Sequence, residues 1–193
     1  MVELLISVSP APYRQEFKAK GFQHMSKDIA RLFNSLTHGV YVIGVADGEK
    51  VNAFTAACVM LASFNPPHLV VAVNKHHSSY RMMRASGAFT VNVLKATQMD
   101  FARNFAGPAS TEKMTFTPWT TARTGGPLLQ EALSWFECRV IGELPAGSHT
   151  LVLGHVINGR LLDAQNEPLN YHEVTSLDED YAAEAFPDVL VER

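Results

Sequence analysis

The sequence lacks most of the features that announce a function. Among 193 residues there are only two cysteines, Cys58 and Cys138, far apart and each inside an apolar stretch. That spacing forms no metal-ligand pair and nothing marks the chain as secreted, so both read as small buried hydrophobes rather than as a disulfide. Basic residues do not cluster: 16 Lys and Arg are interspersed with 19 Asp and Glu, for a formal net charge of −3. A chain without a Lys/Arg patch has no means of tracking a phosphate backbone, so nucleic acid is not an expected partner. The longest apolar stretch, residues 51–73, is broken by Asn65, Pro66 and Pro67 and cannot span a membrane. The opening MVELLISVSPAPYR lacks the basic start and long apolar core of a signal peptide, and the expected location is cytoplasmic.

Catalytic signatures are missing too. There is no G-x-S-x-G elbow, no G-x-x-x-x-G-K-[ST] and no G-x-G-x-x-G, so a nicotinamide cofactor would not bind through a Rossmann unit. The eight histidines come without C-x-x-C or H-E-x-x-H, and the adjacent His76 and His77 point their side chains apart. No metal is expected, and these two read as solvent-facing loop histidines.

What is present is a chain for one domain, with 47% hydrophobic and 18% charged residues. The low charged share is consistent with a surface buried against a partner. Residues 1–25 read as an N-terminal extension, 26–172 as the domain and 173–193 as an acidic, partly helical tail. Ser26 is placed to cap a helix with Ile29, Leu32, Phe33 and Leu36 on one face, ended by Gly39. GVYVIGVA is a strand and Asp47-Gly48 a hairpin turn. NAFTAACVMLASF reads as one long strand up to the Asn65-Pro66-Pro67 turn, and HLVVAVN as a short one. SSYRMMRASG reads as a helix capped by a serine and closed by Gly87, followed by the strand AFTVNVL. Thr97 is the expected cap of a helix through Phe101 and Phe105. Residues 108–128 read as a long polar loop, with a strand pair after it around Pro145-Ala146-Gly147. Asn158-Gly159 signals a further hairpin with RLLD as its return strand.

Strands joined by short turns, with few helices to serve as crossovers, disfavour a parallel sheet. The expected fold is mainly β, an antiparallel barrel with flanking helices, since closure removes exposed edges.

Three stretches could carry chemistry. In NKHHSSYRMMR a strand end runs into a helix start, where free amides and partial positive charge suit a phosphate, with Ser78, Ser79, Arg81 and Arg84 nearby. An ordinary capped helix explains that segment equally well. Asn52 and Thr55 are polar on an otherwise apolar strand, and Ala56, Ala57 and Cys58 would admit a flat ligand close to the backbone, or simply a packed helix. His149 opens a strand after Gly147-Ser148, where it faces either solvent or a pocket.

Taken together, GVYVIGV, NAFTAACVMLASFNPPHLVVAVN, HSSY, SGAFTVNVL, QMDFARNFAG, GGPLLQEALSWFECRV, GSHTLVLGHV and EPLNY resemble, in order, the flavin reductase-like family with the FMN-binding split barrel. The resemblance runs from about Ile29 to Tyr171. It implies a homodimer with flavin at the subunit interface, and hydride transfer from NADH or NADPH to FMN, with FAD as the alternative flavin. It also implies a partner monooxygenase that receives reduced flavin. Carried onto this chain, Asn52, Ala53, Phe54, Thr55, Ala56, Ala57 and Cys58 would line the flavin. Asn74, His77, Ser78, Ser79, Tyr80 and Arg81 would hold its ribityl and phosphate end, and His149 would be the catalytic-site residue on the nicotinamide side. Two departures stand out: Ser148 replaces the family's Asp before the histidine, and Ala57 replaces a Ser or Thr that would bond the flavin. The HSSY form is similar to that in reductase modules of flavodiiron-type proteins. A flavin-binding electron carrier that does not use NAD(P)H is the alternative reading, and a barrel that no longer binds flavin is the third.

Overall fold

The computed structural model describes residues 35–107 and 111–176. The chain divides into Met1–Ser35 and Leu36–Arg193, and the second unit holds the sheet. The expected helix start at Ser26, with Ile29, Leu32 and Phe33, lies outside the described residues. Leu36, assigned to the apolar face of that helix, is half-exposed in a bend.

Seven strands form one antiparallel sheet in the order β2-β1-β5-β8-β9-β4-β3. They are β1 (Tyr41–Asp47), β2 (Lys50–Ala56), β3 (Val59–Phe64), β4 (Pro67–Asn74), β5 (Ala88–Val93), β8 (Ser134–Ala146) and β9 (His149–Leu161). A separate pair, β6 (Trp119–Thr121) and β7 (Pro127–Leu129), lies within the stretch expected to be a structureless loop, as does the short helix α3 (Thr111–Met114). That region carries few periodic apolar residues. It is held instead by long-range bonds: Leu129 N donates to Asn92 Oδ1 at 2.8 Å and Thr90 Oγ1 to Pro127 O at 2.6 Å.

The single strand expected over NAFTAACVMLASF is two. β2 pairs with β1 and β3 with β4, so the chain leaves one edge of the sheet and joins the other within Ala57 and Cys58. Val59 N bonds Ala57 O at 3.0 Å, a tight turn made without Gly, Pro, Asn or Asp. The Asn158-Gly159 hairpin does not form either. β9 runs through it to Leu161, paired with the equally long β8, and absorbs the irregularity as a register shift at Glu137/Cys138. Asp47-Gly48 does turn the chain, with Gly48 at φ 60.

Alternation sorts the strands into two faces. Ile43, Val45, Phe54, Leu69, Val71 and Val152 face an inner cluster that also receives Tyr80 and Met83 of α1 (Ser78–Ser86). On the opposite face of β1 and β2, Val42 and Ala53 pack with Phe101, Ala102 and Phe105 of α2 (Met99–Ala106). Helix ends differ in detail from the sequence reading. α1 is capped by His77, whose Nδ1 accepts from Ser79 N at 3.2 Å, rather than by a serine. Gly87 closes it at φ 64, as expected. The cap position of α2 is Gln98, not Thr97, and its side chain makes no cap bond. A last helix, α4 (Tyr171–Ser176), follows the Leu169 segment, which docks through Val40 N to Leu169 O at 3.0 Å. Among the described residues no helix is long and apolar enough to cross a membrane.

Candidate functional site

The residues of 52–57 are all buried within the chain, and their side chains split between two faces. Asn52 donates to Ser79 Oγ at 2.8 Å and so ties β2 to α1. Thr55 Oγ1 donates to Ala102 O at 2.7 Å, facing α2 instead. Phe54 packs inward and meets the His77 ring, with centroids 4.9 Å apart. Ala53 sits under α2, while Ala56 belongs to the inner cluster. None of these side chains is free to grip a ligand. What β2 offers is its backbone: as an edge strand it presents alternate amides and carbonyls away from β1.

Cys58 breaks the pattern. It is exposed, contrary to the expectation of two buried thiols, whereas Cys138 is fully buried. The protein around the Cys58 sulfur is still enough to raise its thiol above the ordinary value by desolvation. Burial likewise raises the Tyr171 hydroxyl, helped by the nearby Cys58 charge. A thiol so shifted stays protonated near neutral pH and is a poor nucleophile. Cys138 is pushed up to about 12 by burial and by the adjacent Glu137.

The sheet register brings separated sequence segments together. Asn74 and His149 are direct partners in the β4–β9 ladder, about 5 Å apart at Cα. Cys58 O accepts from Ala72 N at 2.9 Å, two residues before Asn74. Cys58 and His149 therefore flank the Asn74 end of β4 from its two sides, toward one corner of the sheet. Asn74 Oδ1 accepts from His76 N at 2.8 Å and Asn74 O from His77 N at 3.0 Å, which aims the chain into α1. His76 and Ser78 are exposed there, and His77 is half-buried as the helix cap.

Within α1 the candidates divide by direction. Ser79 and Tyr80 are buried and turned into the fold, while Ser78 and Arg81, one helical turn apart, face solvent. His149 is half-buried, and its Nδ1 lies 2.9 Å from Ser148 Oγ. Ser148 thus supplies an oxygen partner for the ring where the family pattern has a carboxylate.

Three contacts here were beyond sequence reasoning. Lys75 Nζ donates to Gly147 O at 3.4 Å, beside His149. Tyr80 Oη donates to Glu143 Oε2 at 3.1 Å, and Arg84 Nε stands 3.6 Å from the same oxygen. Each joins residues about sixty or more positions apart, and no local pattern marks Glu143. Among the described residues no group of three or more His, Cys, Asp or Glu side chains could hold a metal ion.

This fold and corner define a flavin-reductase-type domain. The chain belongs to the flavin reductase like domain family, which matches residues 33–177. It is 31% identical over 157 residues to the FMN reductase (NADH) RutF of Agrobacterium fabrum, covering 80% of this chain and 88% of that one. It is 29% identical over 163 residues to diflavin flavoprotein A 1 of a Synechocystis species, covering 82% of this chain. Among solved structures it resembles BorF, the flavin reductase component of a bacterial two-component tryptophan halogenase. That likeness has a TM-score of 0.70 at 30% identity, covering 78% of this chain and 95% of BorF. The chain spans only 28%, 40% and 26% of the length of three of the curated relatives it matches.

Proposed function

We propose that this protein is an NAD(P)H-dependent flavin reductase of the FMN type. The observation that carries the reading is the register pairing of Asn74 with His149, with Cys58 two residues away across β4. It joins at one corner the three segments that the family resemblance assigns to the flavin, its phosphate and the nicotinamide. The residues suit a flavin. The edge backbone of β2 and the Ala57–Cys58 joint can meet a flat ring, and Asn74 borders the ribityl chain. Exposed Ser78 and Arg81, at the positive end of a nine-residue helix, suit the phosphate. His77, Ser79, Tyr80, Asn52 and Thr55 act behind them, holding the helices in register.

A flavin held there would supply the hydride-accepting ring, and a nicotinamide the hydride. The chain's part is to orient and to exclude water. His149 lies on the nicotinamide side with its ring held by Ser148. That contact gives the ring an oxygen partner at the position where Asp is replaced, which supports the reductase reading.

The sheet edges β2 and β3 are joined by only two residues, which supports a split barrel closed at that corner. The outer face of β3, β4, β9 and β8 carries Met60, Val70, Ala72, Leu151, Leu153 and Leu144, with Met60 and Leu144 each 61% exposed. An apolar face of this kind supports a homodimer. Residues 26–172 form the catalytic domain, flanked by the 1–25 extension and the acidic 173–193 tail. The protein works in the cytoplasm and passes reduced flavin to a partner monooxygenase.

The test is the visible spectrum of the protein with FMN under anaerobic conditions, before and after NADH. Bound flavin that bleaches upholds the reductase. Bound flavin that persists with both NADH and NADPH points to the electron carrier, and no binding leaves only the barrel.

A further inference from the structure

We propose that Glu143 is a positioning residue that locks the hairpin tip bearing His149 to the phosphate-side helix α1. The inference rests on the flavin-reductase reading for its kinetic consequence, while its structural content stands by itself. Glu143 pairs with Val152, and Val152 with Val71, both inward-facing, so its side chain points to the α1 side of β8. Its Oε2 accepts from Tyr80 Oη at 3.1 Å and pairs with Arg84 Nε at 3.6 Å. The Arg84 guanidinium also lies 5.9 Å from the Tyr80 ring centroid. One carboxylate oxygen thus gathers two side chains, one helical turn apart on α1.

Four residues beyond Glu143 the chain reaches the Gly147-Ser148 turn, and then His149. The turn projects from the sheet, its residues exposed and Gly147 at φ 69. Two further ties bind the tip to the α1 side: the Asn74–His149 ladder pairing and Lys75 Nζ to Gly147 O. Of the three, the Glu143 contact alone engages the body of α1 rather than the chain leading into it. It therefore sets how the His149 tip stands relative to the helix whose first turn bears Ser78 and Arg81. With the Glu143 side chain 27% and that of Arg84 63% exposed, the cluster is too wet to matter greatly for stability. Its worth is geometric: a loosened tip presents His149 to the nicotinamide less often in the binding geometry, which weakens binding rather than the chemical step.

The experiment compares full-length wild type with Glu143→Ala, Glu143→Gln and Tyr80→Phe. It measures amide hydrogen exchange across residues 145–151 and 78–84, melting temperature, FMN affinity and steady-state kinetics with NADH. Glu143→Ala is expected to speed exchange at the tip by about tenfold and to raise KM for NADH by about fivefold. FMN affinity and kcat should stay within about twofold. Glu143→Gln should restore the wild-type values, because its amide oxygen still accepts from Tyr80 and Arg84, and Tyr80→Phe should reproduce part of the tip loosening. Unchanged exchange in Glu143→Ala overturns the proposal. So does a fall in melting temperature and FMN affinity that Glu143→Gln fails to reverse. A wild type that binds no FMN or oxidises no NADH instead rejects the reductase reading, and the exchange data still decide whether Glu143 holds the tip.

Discussion

Ser78 and Arg81 face outward from the first turn of α1 while Ser79 and Tyr80 face inward, so a charge change at Ser78 acts on a ligand rather than on the core. Ser78→Asp should weaken FMN binding by about tenfold, since a like charge beside the phosphate opposes the helix end. Fluorescence titration with FMN checks this, and an unchanged affinity removes the phosphate from that turn. His149→Ala should raise KM for NADH more than KM for flavin, read from paired steady-state titrations, and equal small effects would take His149 out of the nicotinamide side. Lys113 is 4% exposed, bonds Gly107 O at 2.8 Å, and is lowered by burial to about 8 from 10.5. Between those values the unfolded chain binds the proton more tightly than the folded one, so stability should rise with pH across that window. Wild type should gain on Lys113→Met in urea midpoint from pH 8 to pH 10; parallel midpoints would refute it.

Among the elements, β9 is one held by close packing. A Cβ at Gly154 would lie 2.5 Å from Cζ of the buried Phe89 and 3.0 Å from Cys138 Cβ. Gly154→Ala should therefore cost roughly 1–3 kcal/mol, as overpacked cores do, and denaturant unfolding measures it. The tie between β2 and α1 depends on Asn52, and Asn52→Ala leaves the fully buried Ser79 hydroxyl without that partner. Elements with strong local signals were legible: the Asp47-Gly48 turn, the Gly87 helix end and the apolar strands of β4 and β5. The break at Ala57–Cys58 carried no turn residue, and the pairing of β2 with β1 and of β3 with β4, at opposite edges of the sheet, imposed it. At Asn158-Gly159 the local signal was present and lost, because continuing the ladder with β8 satisfies more backbone than a turn would.

At the scale of the whole molecule the uncovered apolar face is the feature to explain. α2 packs on the outer side of β1 and β2, whereas Met60 and Leu144 remain exposed on the outer face of β3, β4, β9 and β8. Met60→Lys or Leu144→Asp should shift the protein from dimer toward monomer in sedimentation at micromolar concentration without lowering its melting temperature. A wild type that sediments as a monomer would instead leave this face to another partner.

Alternation and turn chemistry act over a few residues, so the antiparallel class, most strand positions and the family are legible along the chain. The sequence also marked Asn74, Ser78 and His149 as candidates. It took the folded chain to place Asn74 opposite His149, to turn Thr55 and Ser79 into the packing, to expose Cys58 and to bring Glu143 to α1. Those outcomes depend on ladder register and on contacts between residues distant along the chain, and no local pattern of side chains encodes either one.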